Sequence, residues 1–264
     1  MHHLTGAWTS KGPPFDGHHS DFGVRGQVHL IFEGQVDNEI ISYIEMCQRE
    51  SSSLQRGMNF DLGAGYAVIL MSVHPNAPYH DRFADDGSTV IYEGHDAARS
   101  HTVPDPKLVD QPERTPAGTL TENGKFYQAA LRYKSGGSTP RPARVYEKIR
   151  EGIWSYNGVF QVVDAWKEHD GRRLVFKFRL AAVESADCLP AMGSTGRLRR
   201  RLIPTSIKME VWKRDGGKCV VCGATDELHF DHDLPYSMGG TSIKPENVQL
   251  LCARHNLSKG ARIL

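Results

Sequence analysis

Four metal-binding side chains stand in two pairs near the end of the chain, and they constrain its fold more than any other feature. The first pair is Cys219 and Cys222, and the second is Cys252 and His255. Two such pairs of thiolate and imidazole ligands complete a tetrahedral Cys3His set around one ion. Ligands three residues apart at the start of a helix lie on one face of it. The spacing predicts a closed structural Zn²⁺ site, and unligated core cysteines are the alternative.

The other cysteines and the start of the chain bear on its compartment. Cys47 and Cys188 stand alone and bring the cysteines to five, an odd number. Clustered thiols favour metal over disulfides in a reducing compartment. No stretch approaches the roughly 18 consecutive apolar residues of a membrane-spanning helix, and residues 1–21 lack the basic start and apolar run of a signal peptide. These features predict a cytoplasmic protein with no membrane partner.

The length and the distribution of turn residues predict two domains. A chain of 264 residues can bury two cores of ordinary size. Proline, glycine, serine and threonine accumulate over residues 184–206, and basic residues follow. We predict a first domain over residues 1–183, a linker over 184–204 and a second domain over 205–264.

Apolar alternation predicts many strands and few helices in the first domain. The predicted strands are 23–32, 65–73, 88–94, 158–170 and 173–183, and the predicted helices are 37–50 and 121–133. In the second domain we expect a short helix ending at Gly216, two short strands around a turn and a final helix beginning near Leu250. This pattern predicts an α+β protein whose first domain is a twisted sheet or half-closed barrel.

The net charge of +1 hides an asymmetry along the chain. Residues 197–264 hold 12 Lys and Arg against 7 Asp and Glu, whereas the rest of the chain holds 20 against 24. The basic part opens with RLRRRL at residues 197–202. Clustered basic side chains attract the phosphates of nucleic acids. Arg199, Arg200 and Arg201 are therefore predicted to contact a DNA backbone, with a solvated linker face as the alternative.

Oxygen and imidazole groups around the Cys3His set suggest a second, catalytic metal site. Asp231 and Asn256 offer hard oxygen ligands, which suit Mg²⁺ or Mn²⁺ rather than zinc. On a strand the side chain of His232 points away from that of its neighbour Asp231. His232 is thus predicted to lie near the metal without binding it, and its near-neutral pKa suits a base that activates water.

These residues, in this order, resemble the HNH nuclease family over residues 205–262. The motifs are CVVC, FDH, GG and ENVQLLCARHNLSKG. The resemblance implies a ββα-metal fold that hydrolyses DNA, in which Asp231 and Asn256 bind one divalent metal ion and His232 activates the water. It also implies that Asn247 braces the loop carrying His232. Asp231 stands where the family has its first histidine, and either residue can bind metal.

Three further charged or polar residues near this site have open roles. Lys259 is predicted to contact a phosphate of the DNA backbone, as is Arg262, and a solvated helix charge is the alternative for both. His229 alternates with Asp231 along the strand, so it either supports the metal site or simply packs there.

The first domain resembles the SRA (YDG) family over about residues 18–183. The stretches that carry this resemblance are DFGVRGQV, GAGYAVILMSV and DDGSTVIYEGHD. The family binds 5-methylcytosine in DNA by flipping the base out, and a flipped base needs aromatic faces and an acceptor for its amino group. The resemblance implies Tyr92 as one wall of the pocket, Tyr79 as the opposite wall and Asp81 as the acceptor.

Alternatives to this pocket remain within the same stretch. His74 or Asp85 could replace Asp81 as the acceptor. Tyr79 could be a surface turn residue and Tyr92 a core residue.

Together the two resemblances imply a modification-dependent, type IV-like restriction endonuclease of the SRA–HNH kind. Its partner is double-stranded DNA containing modified cytosine, and since each chain cuts one strand, double-strand cleavage predicts a homodimer. One alternative is a non-catalytic reader of methylated DNA. The other is an HNH nuclease whose first domain binds protein or a different modification.

Overall fold

The computed structural model describes residues 37–62, 65–84, 88–183, 202–235 and 238–260, and its elements are numbered along these segments. The strands are β1 Ile40–Ser42, β2 Met58–Asn59, β3 Ala67–Met71, β4 Arg82–Phe83, β5 Thr89–Glu93, β6 Arg141–Arg150, β7 Ile153–His169, β8 Leu174–Ala182, β9 Leu228–His232 and β10 Val248–Cys252. The helices are α1 Tyr43–Arg49, α2 Glu122–Lys134, α3 Thr205–Arg214 and α4 Ala253–Lys259.

The first eight strands form one sheet in the order β2-β3-β6-β7-β8-β5-β4, with β1 also paired to β7. Strands β3 and β6 run parallel, and the other pairs in this sheet are antiparallel. Strand β7 is long enough to pair with two strands. Near its start it pairs with β1, where Ile40 is opposite Ser155, and further along it pairs with β8, where Phe160 is opposite Ala182. The sheet therefore extends past the end of β8 through β1.

Helix α2 closes the main core against one face of this sheet. Thr121 caps the helix by accepting a hydrogen bond from the amide of Gly124 at 3.2 Å. Phe126 and Ala130 are fully buried and pack with Phe178 and other sheet residues. The sequence placed the cap and the helix correctly because capping and apolar spacing are local properties.

The second core lies around β9, β10 and α3. Strands β9 and β10 form an antiparallel hairpin, and helix α4 follows β10 directly. Apolar residues of the hairpin pack with Ile207 and Val211 of α3 and with Ile149 of β6. The predicted order of helix, hairpin and final helix is confirmed, as is the mixed α+β class with few helices.

Several elements differ from the sequence prediction, among them the short strands β2 and β4, which were not predicted. The helix predicted over 37–50 is instead β1 followed by α1, because Ser42 and Glu45 form a capping box that starts the helix there. Strand β6 was not predicted, since its charged residues Arg144 and Glu147 hide the apolar pattern although both are buried. The predicted strand 23–32 lies outside the described residues. None of the helices in the described segments has the length and apolar character needed to cross a bilayer.

Candidate functional site

The Cys3His set predicted from sequence comes together at the end of the hairpin. The ligand atoms of Cys219, Cys222, Cys252 and His255 all lie within 4.8 Å of one another. Nδ1 of His255 lies 3.2 Å from the sulfur of Cys252 and 3.5 Å from that of Cys219. Two sulfurs at the corners of a tetrahedron with zinc–sulfur bonds of about 2.3 Å are about 3.8 Å apart, and the sulfurs of Cys222 and Cys252 are 3.8 Å apart. The donor set and its spacing fit one zinc ion.

Local backbone geometry prepares this set for metal. The turn between Cys219 and Cys222 ends at Gly223, whose φ of 74° favours glycine. Burial opposes ionisation of Cys219, but backbone amides of Cys252, Cys222 and Val221 donate to its sulfur and lower its pKa to about 6. A thiolate is thus available near neutral pH, as a metal ligand must be.

Asp231 lies on β9 beside a buried lysine. Nζ of Lys259 is 2.8 Å from Oδ2 of Asp231 and donates to the carbonyl oxygen of His232 at 2.5 Å. The side chain of Lys259 is 1 % exposed. This placement differs from both sequence expectations for Lys259, a phosphate contact and a solvated charge, because the last turn of α4 packs onto β9. The same packing keeps a cation at the carboxylate predicted to bind metal.

His232 is oriented by a residue that the sequence did not single out. Its Nε2 lies 2.9 Å from the hydroxyl oxygen of Ser242. Ser242 is buried in the loop between β9 and β10. A hydroxyl at this distance fixes the ring orientation, and it can pair with either tautomer because it both donates and accepts. Only the fold brings Ser242 to His232, and no motif in the sequence marks it.

Asn247 lies at the end of the loop that follows His232 and holds that loop together. Its Oδ1 accepts from the amide of Leu234 at 2.8 Å, and its Nδ2 donates to the carbonyls of Leu234 at 3.2 Å and Thr241 at 3.0 Å. Gly240 allows this closure, since a Cβ there would lie 1.9 Å from the carbonyl oxygen of Leu234. The side-chain amide thereby closes the loop on itself.

His229 lies on β9, and Asn256 lies on α4, which packs against that strand. Asn256 precedes Lys259 by three residues on α4, so both lie on the helix face that meets β9. His229 is buried, and burial lowers its pKa, which favours the neutral ring. Its strand position pairs with Glu39. This buried position fits the packing alternative, and support of the metal site by His229 stays a prediction. Arg199, Arg200, Arg201 and Arg262 lie outside the described residues.

The three residues predicted to form a base pocket gather at β5. The carboxylate of Asp81 accepts from the amide of Glu93 at 3.0 Å and from that of Ser72 at 3.1 Å. Tyr92 lies in the main core with 1 % of its surface exposed, which is the placement that the core alternative expected. Tyr79 is half-buried beside them.

The ring of Tyr79 is held by residues that follow β5. It lies nearly parallel to the ring of His95, with centroids 6.4 Å apart and planes at 21°. The ammonium of Lys107 lies 4.2 Å from the Tyr79 centroid and pairs with Asp96 at 2.9 Å. Asn123 fixes the backbone of His95 through two hydrogen bonds of 2.7 and 2.9 Å. The sequence alone does not indicate that His95 contacts Tyr79. Its backbone is held in place by Asn123 of α2, which lies far along the chain.

Asp81 makes the stability of the fold depend on pH. Burial raises its pKa from 3.8 to about 7, although two backbone amides donate to it. Its contribution to stability is full below its unfolded pKa and is lost as the pH rises through about 7. At about 1.4 kcal/mol per pKa unit, we expect the free energy of unfolding to fall by about 2–3 kcal/mol between about pH 5 and pH 8 from this group. Urea unfolding at several pH values measures the slope, and an equal slope in Asp81→Asn would contradict the assignment.

Comparison with known proteins identifies the C-terminal part. The HNH endonuclease family model matches residues 219–262, which confirms that part of the resemblance. No curated protein matches the sequence.

Several solved structures are similar to this chain. The SUVH5 SRA complex with hemi-methylated CG DNA is 23 % identical, with a TM-score of 0.41, over 60 % of this chain and 95 % of that one. Arabidopsis thaliana SUVH6 in complex with SAM is 17 % identical, with a TM-score of 0.37, over 66 % of this chain and 28 % of that one. The type IV phosphorothioation-dependent restriction endonuclease ScoMcrA is 16 % identical, with a TM-score of 0.39, over 88 % of this chain and 60 % of that one.

Proposed function

Starting from the HNH endonuclease domain that residues 219–262 constitute, we propose that this chain cleaves DNA under the direction of modified cytosine. The observation that carries the nuclease half is the placement of His232, whose Nε2 lies 2.9 Å from the hydroxyl oxygen of Ser242, on the strand that also carries Asp231. The sheet domain is the proposed reader of the modified base.

We propose that Asp231 and Asn256 hold one Mg²⁺ or Mn²⁺ ion, and that the Cys3His set holds Zn²⁺. Asp231 supplies a carboxylate for the first site; its Oδ2 is paired with the buried ammonium of Lys259 at 2.8 Å, which leaves Oδ1 as the oxygen proposed to bind the ion. The divalent ion, when bound, stabilises negative charge on the phosphate and on the leaving 3′ oxygen. Four protein ligands close the zinc site, so its role is structural.

His232 then acts as the general base. We propose the tautomer in which Nε2–H donates to Ser242, which leaves the lone pair on Nδ1 to take the proton from the attacking water. Asn247 holds the loop between β9 and β10 closed, and Lys259 holds the backbone at His232 through its carbonyl. Since one such site cuts one strand, two chains acting as a homodimer would cut both.

For the reader, we propose that the extruded cytosine binds at the end of β5. Tyr79 offers an aromatic face for stacking, and Asp81 a carboxylate for the amino group. The half-buried ring of Tyr79 and the electrostatic interaction of Tyr92 with both Tyr79 and Asp81 support this site. The ring of Tyr92 is buried in the core and would have to move out of it to form the second wall of the pocket. Tyr79 is therefore the main aromatic residue of the proposed pocket.

Paired plasmids test the whole proposal. One is CpG-methylated in vitro, the other is unmodified, and both are incubated with Mg²⁺ or Mn²⁺ at limiting enzyme. We expect cleavage of the methylated plasmid, with weaker cleavage of the other at excess enzyme, because a methyl group is worth only about 1–3 kcal/mol in an apolar pocket. Equal cleavage of both plasmids would support the nuclease activity and contradict the proposal that the sheet domain recognises modified cytosine. Binding of the methylated DNA without cleavage in either metal would favour the non-catalytic alternative.

Tyr79→Ala tests the base pocket directly. Loss of one aromatic stacking partner costs about 1–3 kcal/mol, so we expect the Kd for a methylated duplex to rise roughly 5- to 150-fold. Fluorescence anisotropy with labelled duplexes measures this change. Tyr133→Ala on α2 is the matched control and should leave the Kd unchanged. A Tyr79→Ala protein with the Kd of the original chain would exclude this ring from the pocket.

A further inference from the structure

A fully buried ion pair joins the first helix of the C-terminal part to the sheet. Nζ of Lys208, on α3, lies 3.0 Å from Oε2 of Glu147 on β6, and both side chains are 0 % exposed. The same ammonium donates to the hydroxyl of Ser155 at 3.0 Å and to Oδ1 of Asn157 at 2.5 Å, both on β7. All the partners that these hydrogen bonds give Lys208 therefore belong to the sheet.

The carboxylate of Glu147 also has hydrogen-bond partners at both of its oxygens. Asn157 donates to Oε2 of Glu147 at 3.0 Å, and the hydroxyl of Thr205, at the start of α3, donates to Oε1. A buried carboxylate is tolerated only when it is paired and hydrogen-bonded, and here its partners come from β7 and α3 together. Separating α3 from the sheet would leave Lys208 and Glu147 each without its counter-ion.

Apolar and backbone contacts reinforce this junction. Ile149 of β6 packs in the second core with Ile203, which precedes α3. Leu202, its neighbour, packs in the main core. The amide of Phe230 on β9 donates to the carbonyl of Asn38 at 3.0 Å, and Glu39 forms a β-bridge with His229. The hairpin that carries His232 is thus attached by a β-bridge to the segment just before β1.

We propose that Lys208 and Glu147 are positioning residues that fix the distance between the modified base and the cut. This inference rests on the proposed function, since it takes the sheet as the reader and the hairpin as the nuclease. A nuclease attached only by a tether would cut wherever the tether reaches. A nuclease held by a buried ion pair, a shared core and a β-bridge cuts at a position set by the rigid junction.

The test maps the cut ends on a duplex that carries one 5-methylcytosine. The variants are Lys208→Met, the double variant E147Q/K208M and the conservative Lys208→Arg. Lys213→Met, at an exposed position on the same helix, is the matched control. We expect the original chain and Lys213→Met to give the same ends. Lys208→Met should give ends that are shifted and spread over more positions, with the Kd for the duplex unchanged.

The double variant keeps the test valid if Lys208→Met does not fold, because it removes both charges and leaves neither unpaired. It too should give shifted and broadened ends, whereas Lys208→Arg should restore part of the original pattern. Unchanged ends in the double variant would overturn the inference. A lack of cleavage by the original chain would instead count against the proposed function, so the two failures are distinct.

Discussion

Replacing His232 with alanine is expected to lower the rate of DNA cleavage by about 10²- to 10⁴-fold, the usual contribution of a general base. The reason is that the ring is the proposed acceptor of the proton from water, and its Nε2 lies 2.9 Å from the hydroxyl of Ser242. Binding of methylated DNA should remain, because the proposed base pocket lies on the sheet domain. Single-turnover cleavage and anisotropy on the same duplex measure the two quantities.

Two further variants sharpen this prediction. Ser242→Ala removes only the orienting hydroxyl and should lower the rate less than His232→Ala does. His101→Ala, at an exposed position of the sheet domain, should leave the rate unchanged. A His232→Ala protein that cleaves at the original rate would exclude this histidine as the base. One that loses binding together with cleavage would indicate damage to the fold instead.

Replacing Cys252 with serine is expected to unfold the C-terminal hairpin and final helix. Structural zinc sites contribute roughly 10–16 kcal/mol of apparent binding energy, which is folding energy when no site exists in the unfolded chain. Cys252 is also the last residue of β10 and the cap of α4. Its loss should free the helix that carries Asn256 and Lys259, and cleavage should stop as a consequence.

Metal analysis and hydrogen exchange measure this outcome. We expect about one zinc per chain before the change and none after it, with amide protection lost in β9, β10 and α4 and kept in the main sheet. Cys47→Ser, outside the cluster, is the matched control and should retain zinc. Zinc retained by Cys252→Ser, with protection intact, would contradict the assignment of this ligand.

Local sequence patterns determine much of this protein. The spacing of the Cys3His set identifies four residues whose ligand atoms the fold brings within 4.8 Å of one another. The strand at Asp231 and His232 and the turn before Asn247 can also be predicted, because alternation, turn residues and ligand spacing act over a few residues. Strand β6 escapes prediction, since its charges are satisfied by partners far along the chain.

The tertiary structure decided what the polar residues do. Lys259 reads as a surface charge in the sequence, yet it is buried against Asp231 because α4 packs on β9. The sequence gives no sign that Lys208 differs from other helix lysines, yet its side chain is fully buried and paired with Glu147. Burying a charge is favourable only where distant segments supply its partners. The sequence by itself thus determined which groups can bind metal and take up a proton, and only the packing of distant strands determined which charges position them.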